Sequence, residues 1–422
     1  MSANLKMIEG SAADSRGHEE VLSGVHVVGL RGELFETAQQ LKSDIIKSAA
    51  LAEDEKRLSD DIVDKMHAEG LYNLWVPTSL GGADVDPLTT LKLLEEIASY
   101  DASTAWALMI GIEMNGFISN YAPDSVIRKF FSGEGKAISG GVVMPGGSLE
   151  QDGEEYTATG LWPFGSGCQH ATWMLGSCIL MEDEMPVMGS SGNPELHVAM
   201  FPKDMIYIND TWRTLGMKGT GSHHWGVKDQ RIGADQVWPI TRTALRKNKV
   251  LGFPWAVLFA LTKASVAMGI AKATVEHYRK WSMSTQPFGS NYFISEDSGT
   301  QIEFAKRYAL FQSARAFLFG TIRDIWEKVQ QGQEIDEDTI ALGHLAAVKS
   351  SEDAYQVVTD LFYLSGASAS IYDKKPLQKL LRDMTTARSH IALSHRLYEA
   401  SGASLLGGNP VAIMPFWDLN YK

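Results

Sequence analysis

The sequence predicts a mainly α-helical protein in which a small β-domain separates two helical blocks. Three observations carry that expectation. Apolar residues recur at helical spacing between residues 29 and 138. Glycines, turn pairs and short alternating apolar runs then dominate residues 139–240, and helical spacing returns after Pro239. The divisions expected are a flexible leader at 1–28, an N-terminal α-helical domain at 29–138, a middle β-domain at 139–240 and a C-terminal helical domain at 241–422.

Taken in order, the leader lacks any helical period. Leu34, Leu41, Ile45 and Ala49 then fall on one stripe with charges opposite. Ser59 precedes Asp60 and Asp61, a cap followed by acids at the positive end of a helix dipole. That helix should run through Ile62, Val63 and Met66 to Gly70. Asp86-Pro87 opens the next, with proline in its first turn and Leu88, Leu91, Leu94 and Ile97 on its inner face. In the middle block, Leu196, Val198, Met200 and Phe201 lead to Pro202, and Met205 and Tyr207 to the next turn, as short strands do. Four long helices are expected beyond it, at 244–283, 298–331, 336–365 and 377–402.

Composition narrows the function classes. With 422 residues, 44% of them hydrophobic and 21% charged, the chain can bury a globular core. Thirty-eight basic against 51 acidic residues leave −13, a surface that repels nucleic-acid phosphates, and no basic patch interrupts it. Two cysteines, Cys168 and Cys178, exclude a disulfide framework and a Cys-built zinc site. The apolar run at 251–271 contains Pro254 and Lys263, short of the ~20 clean residues of a membrane span. With no apolar signal core in the leader, a soluble cytoplasmic protein is expected.

Three segments could carry chemistry. In Gly160-Leu-Trp-Pro-Phe-Gly-Ser-Gly-Cys-Gln-His-Ala171, glycines 160, 165 and 167 allow close backbone approach. Ser166 can hydrogen-bond the edge of a flavin, and Trp162 and Phe164 could wall an aromatic cavity. The same residues also suit a glycine-rich hairpin whose aromatics are simply core. The second segment, Gly216-Met-Lys-Gly-Thr-Gly-Ser222, lacks the ending of a phosphate-binding loop, and alone it reads as a tight turn. The adjacent His223 and His224 would point to opposite faces of a strand and cannot share a metal. The third comprises Ser365-Gly366, Arg382-Asp383 and His390.

Together these pieces resemble the acyl-CoA dehydrogenase superfamily. Leu74-Trp-Val-Pro77 with Gly81-Gly82 is similar to an early signature of that family, and Ser365-Gly366 with Arg382-Asp383 to a late one that meets flavin from a neighbouring subunit. The resemblance implies an α-domain, a β-barrel or sandwich and a four-helix bundle, usually in a homotetramer. The family's acyl-CoA dehydrogenases use a glutamate base. Eight residues after Asp383 stands Ile391, and no acid lies between Asp235 and Glu276, so both customary positions lack one.

Trp162-x-Phe164-x-Ser166-Gly167-Cys168-x-His170-Ala171, Gly216-Met-x-Gly-Thr220-Gly-Ser222 and Arg382-Asp383…His390 instead resemble the two-component flavin-dependent monooxygenases of the superfamily. Lys218 departs from the usual arginine. No histidine follows Asp101-Ala-Ser103, where Trp106, Glu113 and Asn115 stand. The resemblance implies reduced FAD, or FMN, delivered by diffusion from an NAD(P)H:flavin reductase. With O2 as co-substrate it implies a C4a-hydroperoxyflavin that hydroxylates or epoxidises a neutral aromatic or heteroaromatic such as indole. It assigns catalysis to His390 and Ser166. Cofactor contacts fall to Trp162, Phe164, Ser166, Gly167, Thr220, Ser222, Ser365, Gly366 and Arg382. Trp106, Asn115, Cys168 and His390 are expected in the substrate pocket, and whether Glu113 or Asn115 replaces the missing histidine stays open at this point. The alternative is an acyl-CoA dehydrogenase or oxidase with a displaced base.

Overall fold

Among the described residues, the first α-helices are α1 (Gly32–Glu55), α2 (Asp60–Ala68), α3 (Pro87–Tyr100), α4 (Ala102–Tyr121) and α5 (Asp124–Phe131). The computed structural model describes residues 31–131, 136–189, 192–240, 245, 249–372 and 375–408, so the expected leader lies outside the described residues. α1 buries Leu34, Ala38, Leu41, Ile45 and Ala52, while Ala49 is half-buried at the edge of that stripe. Asp86 caps α3 by accepting the Thr89 N–H at 2.8 Å, and Asp101 caps α4 by accepting from Thr104 at 2.8 Å. Ser59 precedes α2 without a side-chain cap bond, although Asp60 and Asp61 occupy its first turn. α4 is buried along almost its whole length.

The middle block forms β1 (Ser139–Asp152), β2 (Glu155–Gly165), β3 (Trp173–Glu182), β4 (Met185–Pro186), β5 (Leu196–Pro202), β6 (Tyr207–Asn209), β7 (His223–Gly233) and β8 (Val237–Pro239). They build one mixed sheet in the order β6-β7-β2-β1-β3-β5-β8, with β4 paired to β3. Only the β1–β3 pair is parallel among the described strands. The sheet holds its own core. Trp162 and Trp225 stack there with centroids 4.4 Å apart, beside Phe201, Met174, Cys168 and Cys178. A Cβ at Gly147, Gly160 or Gly176 would stand 2.5–2.6 Å from the Trp162 ring. Those glycines make room for the indole.

Helix returns as α6 (Trp255–Ser284), α7 (Ser298–Gln330), α8 (Glu337–Leu364), the single turn α9 (Ala367–Ser370), α10 (Pro376–Arg388) and α11 (Arg396–Leu405). Two of the expected spans change. α6 begins at Trp255, because a 3-10 turn (Lys249–Gly252) and Pro254 precede it, and the expected start at residue 244 lies outside the described residues. The helix expected at 377–402 divides after Arg388, where His390 starts a separate 3-10 turn (Ile391–Leu393). α6 is long and apolar enough to cross a membrane by composition, but its most apolar stretch is almost wholly buried, chiefly against α3 and α8.

Candidate functional site

Ser166 lies just past β2, in a turn closed by Cys168 N–H to the Gly165 carbonyl and Ala171 N–H to the Gly167 carbonyl. Gly167 adopts φ +76°, a conformation glycine takes without a Cβ penalty, and its N–H reaches the Thr220 carbonyl at 3.0 Å. This contact sets the two glycine-rich segments side by side. A row of hydroxyls results: Ser166 Oγ lies 2.6 Å from Ser222 Oγ, and Ser222 Oγ 2.7 Å from Thr220 Oγ1.

One proton per hydroxyl gives the row a direction. Thr220 donates to the Met217 carbonyl at 2.8 Å, so Ser222 donates to Thr220 and Ser166 to Ser222. Trp106 of α4 donates its Nε1–H into Ser166 Oγ at 3.2 Å. Ser166 is therefore left with an acceptor lone pair and no free proton. That polarity fits the N5–H of a reduced flavin, which needs an acceptor.

His390 completes this corner. Its ring meets Trp106 edge-on, with centroids 5.5 Å apart. Nδ1 accepts the Ala392 N–H at 3.1 Å, which places the imidazole proton on Nε2. Burial, aided by the Lys263 charge, pushes its pKa down to about 3. The imidazole is thus a neutral N–H donor at physiological pH and not a base.

Several expected site residues lie elsewhere. Trp162 is fully buried in the sheet's core and donates its Nε1–H to the Ser177 carbonyl, so it supports the loop and walls no pocket. Phe164 is 68% exposed with φ +61° and meets His224 edge-on, so it closes no cavity within this chain. Cys168 also faces the sheet core, where burial pushes its thiol up to about 11. Asn115 is consumed as structure: it donates to Asn73 Oδ1 and the Ala137 carbonyl and accepts from Ser139. Arg382 is tied to Glu53, Gln378 and the Leu215 carbonyl. Ser365 returns its hydroxyl to Phe362, and among the described residues no hydrogen bond joins it or Gly366 to the Ser166 row. Gly366 has φ +68° with open space where a Cβ would stand.

Glu113 was named from the sequence, but its partner was not. Glu113 of α4 accepts from Lys263 of α6 through both carboxylate oxygens, each at 2.6 Å, and from the Thr262 hydroxyl. Its side chain is 1% exposed and that of Lys263 4%. The signal was available, as a lone charge in each of two otherwise apolar runs. The carboxylate is held by three hydrogen bonds, so it is no free base.

Family models described as the N-terminal and C-terminal domains of acyl-CoA dehydrogenase match residues 33–133 and 261–395. The chain belongs to the acyl-CoA dehydrogenase family. An indole-3-acetate monooxygenase of Acinetobacter baumannii is 26% identical over 84% of this chain and 88% of its own length. The flavin-dependent monooxygenase oxygenase subunit HsaA of Rhodococcus jostii is 25% identical over 81% of this chain and 89% of its own. XiaF from Streptomyces, solved with FADH2 and glycerol, superposes with a TM-score of 0.82 at 21% identity, over 94% of this chain and 98% of that one. This acyl-CoA dehydrogenase family member falls among the flavin-dependent monooxygenases, consistent with a site that shows no free carboxylate base among the described residues.

Proposed function

We propose that this monooxygenase draws reduced FAD from a separate NAD(P)H:flavin reductase, through free diffusion, and oxygenates a neutral aromatic or heteroaromatic of indole size. The observation that carries the reading is the polarity of the Ser166 row, which presents an acceptor where reduced flavin presents a donor. The bound flavin supplies the activation of O2 and the transfer of one oxygen atom. Ser166 would accept from the flavin at N5, Trp106 fixes Ser166 and would contribute an apolar wall, and the His390 Nε2–H would orient the substrate. Reductase delivery and the aromatic substrate accord with the names of the relatives above, and FAD with the FADH2 of the Streptomyces structure. FMN is the competing flavin.

Completion of the flavin site in a homotetramer belongs to the same proposal. Tyr363, Leu364, Ile371 and Tyr372 are 74, 38, 65 and 67% exposed around Ser365–Gly366, an apolar surface suited to cover by a second copy.

The test combines the protein with a flavin reductase, NADH, O2, FAD or FMN, and indole. Oxygenated indole should form only with the reductase present. Ser166→Ala should fold normally and release peroxide instead, with product per O2 consumed down about tenfold, the loss of one hydrogen bond of ~1.4 kcal/mol. Unchanged coupling in that variant removes Ser166 from the chemistry. A yellow protein that an acyl-CoA bleaches would overturn the whole reading.

A further inference from the structure

The Glu113–Lys263 pair has no explanation in packing. Two buried charges lose most of their hydration, and apolar residues of equal volume commonly replace such pairs without loss of stability. The pair's lysine helix reaches the site: α6 packs against the 3-10 turn that His390 caps. Glu113 follows Trp106 by two turns on the same face of α4, and the Lys263 ammonium lies 4.9 Å over the Phe259 ring one turn earlier on α6. The Lys263 charge is felt at His390. The other side chains of the cluster, Trp106, Ser166, Thr220, Ser222 and His390, carry no charge at neutral pH. Burial raises the pKa of Glu113 and lowers that of Lys263, each shift opposed by the partner's charge, and moving the proton from one to the other leaves the sum of the pair unchanged. Its net charge is zero either way.

We infer that Glu113 is a specificity-determining residue: by cancelling Lys263 it keeps the substrate site uncharged and so selects neutral aromatics over the same rings bearing a carboxylate. This deepens the proposed function and rests on it. A carboxylate entering the wild-type site would meet no unpaired cation and would be desolvated uncompensated. With Glu113 made neutral, Lys263 becomes an available partner.

Indole and indole-3-acetate share a ring and differ in the carboxylate, which makes them the probes. Their Kd values are measured by titration calorimetry in the wild type, Glu113→Gln, Glu113→Asp and the double variant Glu113→Leu/Lys263→Met, alongside reductase-coupled oxidation of indole. The wild type should bind indole at least about tenfold more tightly. Glu113→Gln should shift the ratio of the two Kd values about tenfold or more toward indole-3-acetate. Glu113→Asp and the apolar double variant, which both leave the site uncharged, should keep the wild-type ratio. A folded Glu113→Gln whose ratio stays within about twofold of wild type overturns the inference, as does a double variant that shifts like the single one. Should Glu113→Gln not fold, a wild type that binds indole-3-acetate as tightly as indole has the same force. If indole is neither bound nor oxidised, the functional reading itself fails; if it is oxidised while the ratios stay fixed, only the role of Glu113 does.

Discussion

At the scale of single residues, His390 shows how position overrides intrinsic chemistry. A free imidazole titrates near ~6.5 and would change charge across the physiological range. Here burial, and secondarily Lys263, hold it down to about 3, while the Ala392 N–H occupies Nδ1. The ring therefore offers the same Nε2–H donor from mildly acidic to alkaline pH. Product formation should accordingly show no ionisation near pH 6.5 that belongs to this residue. His390→Gln, which restores an N–H at comparable reach, should retain more coupling than His390→Ala, which should lose about tenfold. Steady-state turnover from pH 5.5 to 8.5 in the three proteins decides the matter. A wild-type ionisation between pH 6 and 7 that vanishes in His390→Gln would show a charged imidazole at work.

At the scale of elements, the β-domain is where reading the sequence and seeing the fold diverge most. Trp162 sits in the motif that marks the flavin loop, and its glycine neighbours invited a ligand-binding interpretation. Strand register settles its direction: Trp162 pairs with Trp225 across β2 and β7, between two register shifts, and both rings turn inward. Gly147, Gly160 and Gly176 serve that ring. Gly176→Ala should cost about 1–3 kcal/mol through overpacking. In a Trp162→Phe background, where the clashing indole edge is gone, the same substitution should cost less than half as much. Thermal or urea unfolding of the four proteins measures this, and equal costs in both backgrounds would mean that another contact governs the glycine. Helix starts, by contrast, were legible wherever the cue is local. Asp86-Pro87 opens α3 as its cap and first-turn proline dictate. The division of the last long helix at Ser389 was not legible, since the turn that follows is capped by the His390 side chain itself. Ser166, Thr220 and Ser222 were legible as candidates by type. Their one-way hydrogen-bond order required the fold.

At the scale of the whole molecule, one lysine joins the three blocks. Lys379 of α10 bonds Asp101, the cap of α4, at 2.9 Å and Asp383 at 2.6 Å. Asp383 in turn accepts the Met217 N–H at 2.6 Å, and Thr386 accepts the Gly216 N–H at 3.0 Å, fastening the hydroxyl-bearing segment to the bundle. The helix that carries Trp106 and Glu113, the strand-linking turn that carries Thr220 and Ser222, and the helix that precedes His390 are thus held at one buried charge centre. Burial pushes both aspartates up. Lys379 and Thr104 bring Asp101 back below its ordinary value, whereas Asp383 stays above its own. Lys379→Met would strand two buried carboxylates and should destabilise the protein by about 3–5 kcal/mol at pH 7. The pH dependence of that loss follows from its cause. Without the lysine both carboxyls acquire folded-state pKa values above the unfolded value of ~3.9, so the folded variant binds protons that the unfolded chain does not. Its stability relative to wild type must then rise as pH falls toward 5 and decline as pH rises toward 7. Urea unfolding at pH 5, 6 and 7 should show the deficit narrowing on acidification. A deficit independent of pH would assign the loss to packing of the lysine stem and deny the charge centre its role in holding the site together.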